Sequence, residues 1–262
     1  MFLEDGFVAM LELGEAHQIY YELIAGAPEK PYLVFLHDAL GCTAMWKNFP
    51  RRVCHETACP GLVYDRLGCG QSSPLTKPRT VHYLQDYALD ELREVLAHLI
   101  PDCDYVLIGH SDGGSIGLIL AAERPPRLRG LITEAAHVLV EEQTRSGVRV
   151  AAEAYRAGKM HGLAKYHGDK TDGIFRAWAD TWLADWFRHW NIKHLLPSIE
   201  CPVLAIQGTE DQYGTIDQVD SIASTVMHGR KTIVEGCGHI PHHEQPDVVF
   251  TSMRDFLLPL IR

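Results

Sequence analysis

Short apolar runs alternate along this chain with longer stretches in which apolar residues recur every third or fourth position. The runs read as β-strands at 7–11, 17–23, 32–36, 61–64, 105–108, 128–134, 203–207 and 231–234. The first two are half polar and predict an antiparallel hairpin turning at Gly14. By contrast, Tyr32-Leu33-Val34-Phe35-Leu36 and Tyr105-Val106-Leu107-Ile108 are apolar throughout, as parallel strands covered on both faces must be. Helical spacing fills 44–55, 81–100, 115–123, 216–227 and 246–261. It is clearest where Leu84, Ala88, Leu92, Val95, Leu96 and Leu99 recur with Asp86, Asp90, Arg93 and Glu94 between them, so that one face lies on the sheet. Alternation of this kind predicts an α/β fold, a mostly parallel eight-stranded sheet with helices on both faces.

The rhythm breaks between about 136 and 196, where no convincing strand occurs. The chain therefore divides into a core, 1–135 and 197–262, and a helical insertion, 136–196. Trp178, Trp182, Trp186 and Trp190 follow one another at intervals of four, which on a helix forms a stripe along one side. Such a stripe either packs the insertion onto the core or lines an apolar pocket, and different members can do each.

Composition narrows the setting. With 46% apolar and 22% charged residues in 262, the chain can bury a substantial core. A formal net charge of −10 without a basic run argues against nucleic acid as a partner. The opening Met1-Phe2-Leu3-Glu4-Asp5-Gly6 lacks a secretory pattern, no stretch is apolar enough to span a membrane, and a cytoplasmic protein is expected. The seven cysteines are scattered without C-x-x-C pairs and read as reduced, mostly buried thiols. His239, His242 and His243 are the only tight grouping among fifteen histidines, and they match no metal-binding spacing. No metal or cofactor is expected. The partner is a small-molecule substrate, and a homodimer is compatible with the sequence.

Chemistry enters after the strand at 105–108. Gly109-His110-Ser111-Asp112-Gly113 places a serine between that strand and an apolar helix, with glycines where a tight turn needs small neighbours. A serine hydroxyl becomes a nucleophile when an imidazole takes its proton and a carboxylate orients that imidazole. Both types occur just past later strands: Gly208-Thr209-Glu210-Asp211 after 203–207, and Glu235-Gly236-Cys237-Gly238-His239 after 231–234. In open α/β sheets, ligands sit at these carboxyl ends.

In these motifs and their order the sequence resembles the α/β-hydrolase fold family over nearly its whole length. Gly109–Gly113 resembles the nucleophile elbow, Gly208–Asp211 the acid loop, and Gly238-His239-Ile240-Pro241-His242 the histidine loop. Leu36-His37-Asp38-Ala39-Leu40-Gly41 resembles the oxyanion loop, and Asp65-Arg66-Leu67-Gly68-Cys69-Gly70-Gln71-Ser72 the D-x-x-G-x-G-x-S turn. The resemblance implies Ser111, Asp211 and His239 as catalytic residues, the backbone N–H groups of Ala39 and Asp112 as oxyanion donors, and 136–196 as a helical cap. The family's usual glycine after the oxyanion-loop histidine is Asp38 here, and its side chain is expected to point away from the anion. Glu210 is the alternative acid, and His242 and His243 are alternative bases, although their place at the start of the last helical segment suits capping or packing. His110 suits a structural hydrogen bond beneath the nucleophile, and His137 either a substrate contact or a hinge. Candidate substrate contacts are thus His37, Asp38, His110, His137, Trp182 and Trp186.

A serine hydrolase acting on a small or medium apolar carboxylic ester through an acyl-enzyme is the expected function. Two alternatives remain open on the sequence: a carbon–carbon bond hydrolase of ring-cleavage products, and a small-molecule receptor with little turnover.

Overall fold

The computed structural model describes residues 2–3, 6–14 and 17–262. Among the described residues, one sheet of nine strands runs in the order β1-β2-β3-β5-β4-β6-β7-β8-β9. These are β1 Phe2–Leu3, β2 Gly6–Leu13, β3 His17–Ile24, β4 Tyr32–Leu36, β5 Gly61–Tyr64, β6 Tyr105–His110, β7 Leu128–Glu134, β8 Val203–Gly208 and β9 Gly229–Val234. The eight strands expected from the sequence are all present; β1 is a ninth, antiparallel to β2 and too short to show a period. β2 and β3 pair antiparallel from Gly6↔Ile24 to Leu13↔His17. Gly14 follows with φ 59°, and residues 15 and 16 of that turn lie outside the described residues. From β5 to β9 every pairing is parallel.

Strand pleating divides the buried side chains between two layers. Val34, Leu36, Leu62 and Leu107 enter one core. Their neighbours Leu33, Phe35, Val63, Val106 and Ile108 enter the other. Burial on both faces explains why these strands are apolar at consecutive positions. The helices Phe49–Thr57 and Pro246–Leu257 cover the second layer, contributing Val53, Phe250 and Met253. On the opposite side lie Asp112–Ala122 and a long helix composed of Tyr83–Asp86, Tyr87–Glu91 and Leu92–Leu99, whose middle section is a π turn.

Between β7 and β8 the chain leaves the sheet for the helices Glu142–Arg156 and Thr171–Leu183, joined by shorter helical turns. A bridge between Leu139 and Asn191 closes the neck of this segment. The tryptophan stripe does not lie on a single helix: after Leu183, Ala184 is extended (ψ 145°), and Trp186 falls in a separate short turn. Trp186 is 53% exposed, whereas Trp178, Trp182 and Trp190 are buried. Constant spacing is therefore a misleading guide here, because the helix ends at Leu183, between the second and third tryptophans. All seven cysteines are free thiols, five of them buried. Among the described residues, no helix is long and apolar enough to cross a membrane.

Candidate active site

Ser111 occupies the corner between β6 and the helix Asp112–Ala122, with φ 53° and ψ −120°. That conformation costs a non-glycine residue about 1–3 kcal/mol and persists only where its surroundings enforce it. Here the Ser111 N–H donates to the Glu134 carbonyl (2.8 Å), and the Ser111 carbonyl accepts from Gly114 (2.9 Å) and Ser115 (3.1 Å). The flanking glycines are required by contact: a Cβ on Gly109 would lie 2.3 Å from the Gly113 carbonyl oxygen, and one on Gly113 2.0 Å from that of Leu36.

The loops after β8 and β9 bring an acid and an imidazole to this corner. His239 Nε2 lies 3.0 Å from Ser111 Oγ, and His239 Nδ1 lies 2.9 Å from both carboxylate oxygens of Asp211. With the Nδ1 proton directed at the carboxylate, the Nε2 lone pair faces the serine hydroxyl. Asp211 is itself held by the side-chain amide of Gln207 (2.8 Å) and by the N–H groups of Tyr213 (2.8 Å) and Gly214 (3.3 Å). Burial pushes its carboxyl upward, but the hydrogen bond and charge of His239 and the Tyr213 N–H outweigh this and hold it below the usual carboxylate range. Glu210, by contrast, is exposed and makes its hydrogen bond through the backbone, to Cys237.

His110 and His242 lie close by. His110 Nε2 donates to the His239 carbonyl (2.7 Å), tying the histidine loop to β6. Burial lowers its pKa to about 4 despite Asp38, so the ring is neutral and its only proton is already used. The 3.5 Å approach of His110 Nδ1 to Asp38 is therefore not an ion pair. His242 is held by Glu134 through both its ring and its backbone N–H, each at 3.0 Å. His243 stacks edge-on against His242.

A cavity of about 200 Å³ opens over Ser111, lined on the core side by Asp38, Ala39, Leu40, Asp112 and His239 and on the helical-segment side by Thr144, Val148, Leu163, Trp178 and Trp182. His137 also lines it, with Nε2 donating to the Tyr213 carbonyl (3.1 Å). Ala39 and Asp112 both line the cavity; no hydrogen bond engages the Ala39 N–H among the described residues, and Asp112 begins its helix, where N–H groups lack intrahelical acceptors. Asp38 is less remote than its expected orientation implies. Its carboxylate turns back to the Leu40 N–H (3.0 Å), capping its own loop, yet the residue remains part of the cavity wall. His37 is buried away from the cavity, donating to the Asp38 carbonyl (2.7 Å) and accepting from the Arg66 N–H (3.0 Å). Trp186 borders a separate outer groove.

Tyr83 and Arg79 shape the site without a signal in the sequence. Trp182 Nε1 donates to the Tyr83 hydroxyl (3.0 Å), which donates to Asp112 Oδ2 (2.9 Å), linking the helical segment to the residue after Ser111. Arg79 lies 4.5 Å over the Tyr83 ring. Gln207 alone could have been noticed, as a polar residue closing an apolar strand.

Comparisons with known proteins bear on the family and the fold. Residues 33–251 match the sequence pattern of the alpha/beta hydrolase family. The chain is 34% identical over 138 residues to the proline iminopeptidase of Levilactobacillus brevis, a match covering 50% of this chain and 44% of that enzyme. It is 33% identical over 215 residues to the monoglyceride lipase of Mus musculus, covering 73% of this chain and 70% of the lipase. The chain thus spans about half the length of the first curated relatives it matches. Among solved structures, a thermophilic esterase from Thermogutta terrifontis superposes with a TM-score of 0.74 at 21% identity, covering 98% of this chain and 100% of that one. Fold, motif order and sequence similarity together place this chain in the alpha/beta hydrolase family.

Proposed function

We propose that the protein is a serine hydrolase that cleaves small or medium apolar carboxylic esters through an acyl-enzyme. The observation that carries this reading is the continuous hydrogen-bonded series from Asp211 through His239 to Ser111, ending in an apolar cavity.

Ser111 Oγ attacks the ester carbonyl as its proton passes to His239 Nε2, and the imidazolium so formed is stabilised by Asp211. Negative charge developing on the carbonyl oxygen is met by the Ala39 and Asp112 N–H groups, each such donor being worth roughly 3–4 kcal/mol to the transition state. His239 then gives its proton to the departing alkoxide. A water molecule, deprotonated by the same nitrogen, attacks the acyl-enzyme and releases the acid. Residues 136–196 act as a cap, whose tryptophans and leucine exclude water and favour apolar acyl groups. Among the relatives, a monoglyceride lipase and an esterase support ester chemistry, and the proline iminopeptidases support a peptidase as the competing reading.

The test is release of nitrophenol from acyl esters of increasing chain length by the wild type and by Ser111→Ala. Turnover that disappears in the variant supports the reading. Turnover that survives in it, or a wild type inactive on every ester while cleaving an aminoacyl nitroanilide, overturns ester hydrolysis by Ser111.

A further inference from the structure

The cavity over Ser111 has a mostly apolar wall, and two of its polar lining residues carry buried atoms that the catalytic series does not use. His137 and Thr144, 3% and 2% exposed, both line it. Among the described residues, His137 Nδ1 and Thr144 Oγ1 are buried and have no hydrogen-bond partner. His137 Nε2 faces a carbonyl, which can only accept, so Nε2 holds the ring's proton and Nδ1 presents a lone pair. Burial and the nearby His239 lower the His137 pKa and keep the ring neutral. The Thr144 hydroxyl, in the first turn of Glu142–Arg156, makes no bond back to the preceding carbonyls. Each unpaired buried group of this kind costs about 1–3 kcal/mol.

We propose that His137 Nδ1 and Thr144 Oγ1 form a subsite for a hydroxyl on the acyl group, close to the ester carbonyl, as in 3-hydroxyacyl esters. This rests on the ester reading above. A hydroxyl donates to His137 and can also accept from Thr144, satisfying both atoms at once. An ammonium group would also donate, but the His137 ring centroid is only 6.0 Å from that of His239, which becomes cationic in the transition state. A positive charge there would oppose catalysis. The separation also confines the hydroxyl to the first few atoms of the acyl chain.

The test compares nitrophenyl esters of (R)- and (S)-3-hydroxybutyrate with that of 3-methylbutyrate, in which a methyl group replaces the hydroxyl at similar volume. One hydroxy enantiomer is expected to exceed the methyl analogue in kcat/KM by about tenfold or more, as sites built around a substrate hydroxyl discriminate. Thr144→Val should lower that ratio about tenfold, and Thr144→Ser should preserve it. Ratios near one for both enantiomers in the wild type overturn the subsite and point to a bridging water, leaving ester hydrolysis intact. Calorimetry on Ser111→Ala with the corresponding ethyl esters reads the same preference without turnover. Preferential binding there in an enzyme that hydrolyses neither ester keeps the subsite and removes the ester reading. Equal binding of both removes the subsite.

Discussion

Ser111 stands in a conformation that serine disfavours, and the cost is carried by neighbours that leave no space for change. Gly113→Ala would set a Cβ 2.0 Å from a backbone oxygen that cannot rotate aside, so it is expected to yield insoluble or strongly destabilised protein, read by soluble expression and thermal unfolding. Asp211→Asn keeps the shape but can present an amide N–H to His239, favouring the wrong tautomer; kcat on nitrophenyl esters should fall roughly 10³–10⁴-fold with little change in circular dichroism. At this scale much of the site was legible. Ser111, Asp211 and His239 stand in short motifs just past strand ends, and those strands are unmistakable in their hydrophobicity. His37 and Asp38 were harder to assign, since a loop residue's direction is set by local hydrogen bonds: the Arg66 N–H draws His37 inward, and the Leu40 N–H turns Asp38 back on its own loop.

Among elements, the best-predicted feature and the least-predicted one share a helix. The apolar spacing over 81–100 marks a helix against the sheet, but the π turn Tyr87–Glu91 adds a residue to one turn without a compositional trace. Tyr83, at the start of that helix, meets Trp182 and Asp112 from far along the chain, a junction that no local pattern encodes. Tyr83→Phe leaves an indole N–H and a carboxylate oxygen buried without their partner. It should lower Tm by a few degrees, measured by calorimetry, and reduce kcat, because the proposed mechanism has the Asp112 N–H meet the developing anion. Trp186 illustrates the reverse error, a regular spacing whose helix had already ended at Leu183.

For the molecule as a whole, pH should act on stability through Glu91, on the same helix. Burial pushes its carboxyl up to about 7, with the Leu67 N–H and Arg66 offsetting this only in part, and its Oε1 has no partner among the described residues. A carboxyl whose pKa is higher folded than unfolded binds its proton more tightly in the native state. Its contribution therefore falls as pH rises from the ordinary carboxylate range through about 7, and is flat above. Glu91→Gln should raise Tm by a few degrees at pH 8 and leave it nearly unchanged at pH 4, read by unfolding scans at both values. The neck formed by Leu139 and Asn191 has a different consequence. Because β7 and β8 are adjacent strands, the intervening segment departs from and returns to neighbouring points, so its ends span almost no distance. Such a segment lends itself to exchange: grafting a different one between those two residues, with Trp182 kept to hold Tyr83, should replace the cavity wall formed by Thr144, Val148, Leu163 and Trp178 while the sheet stays as it is.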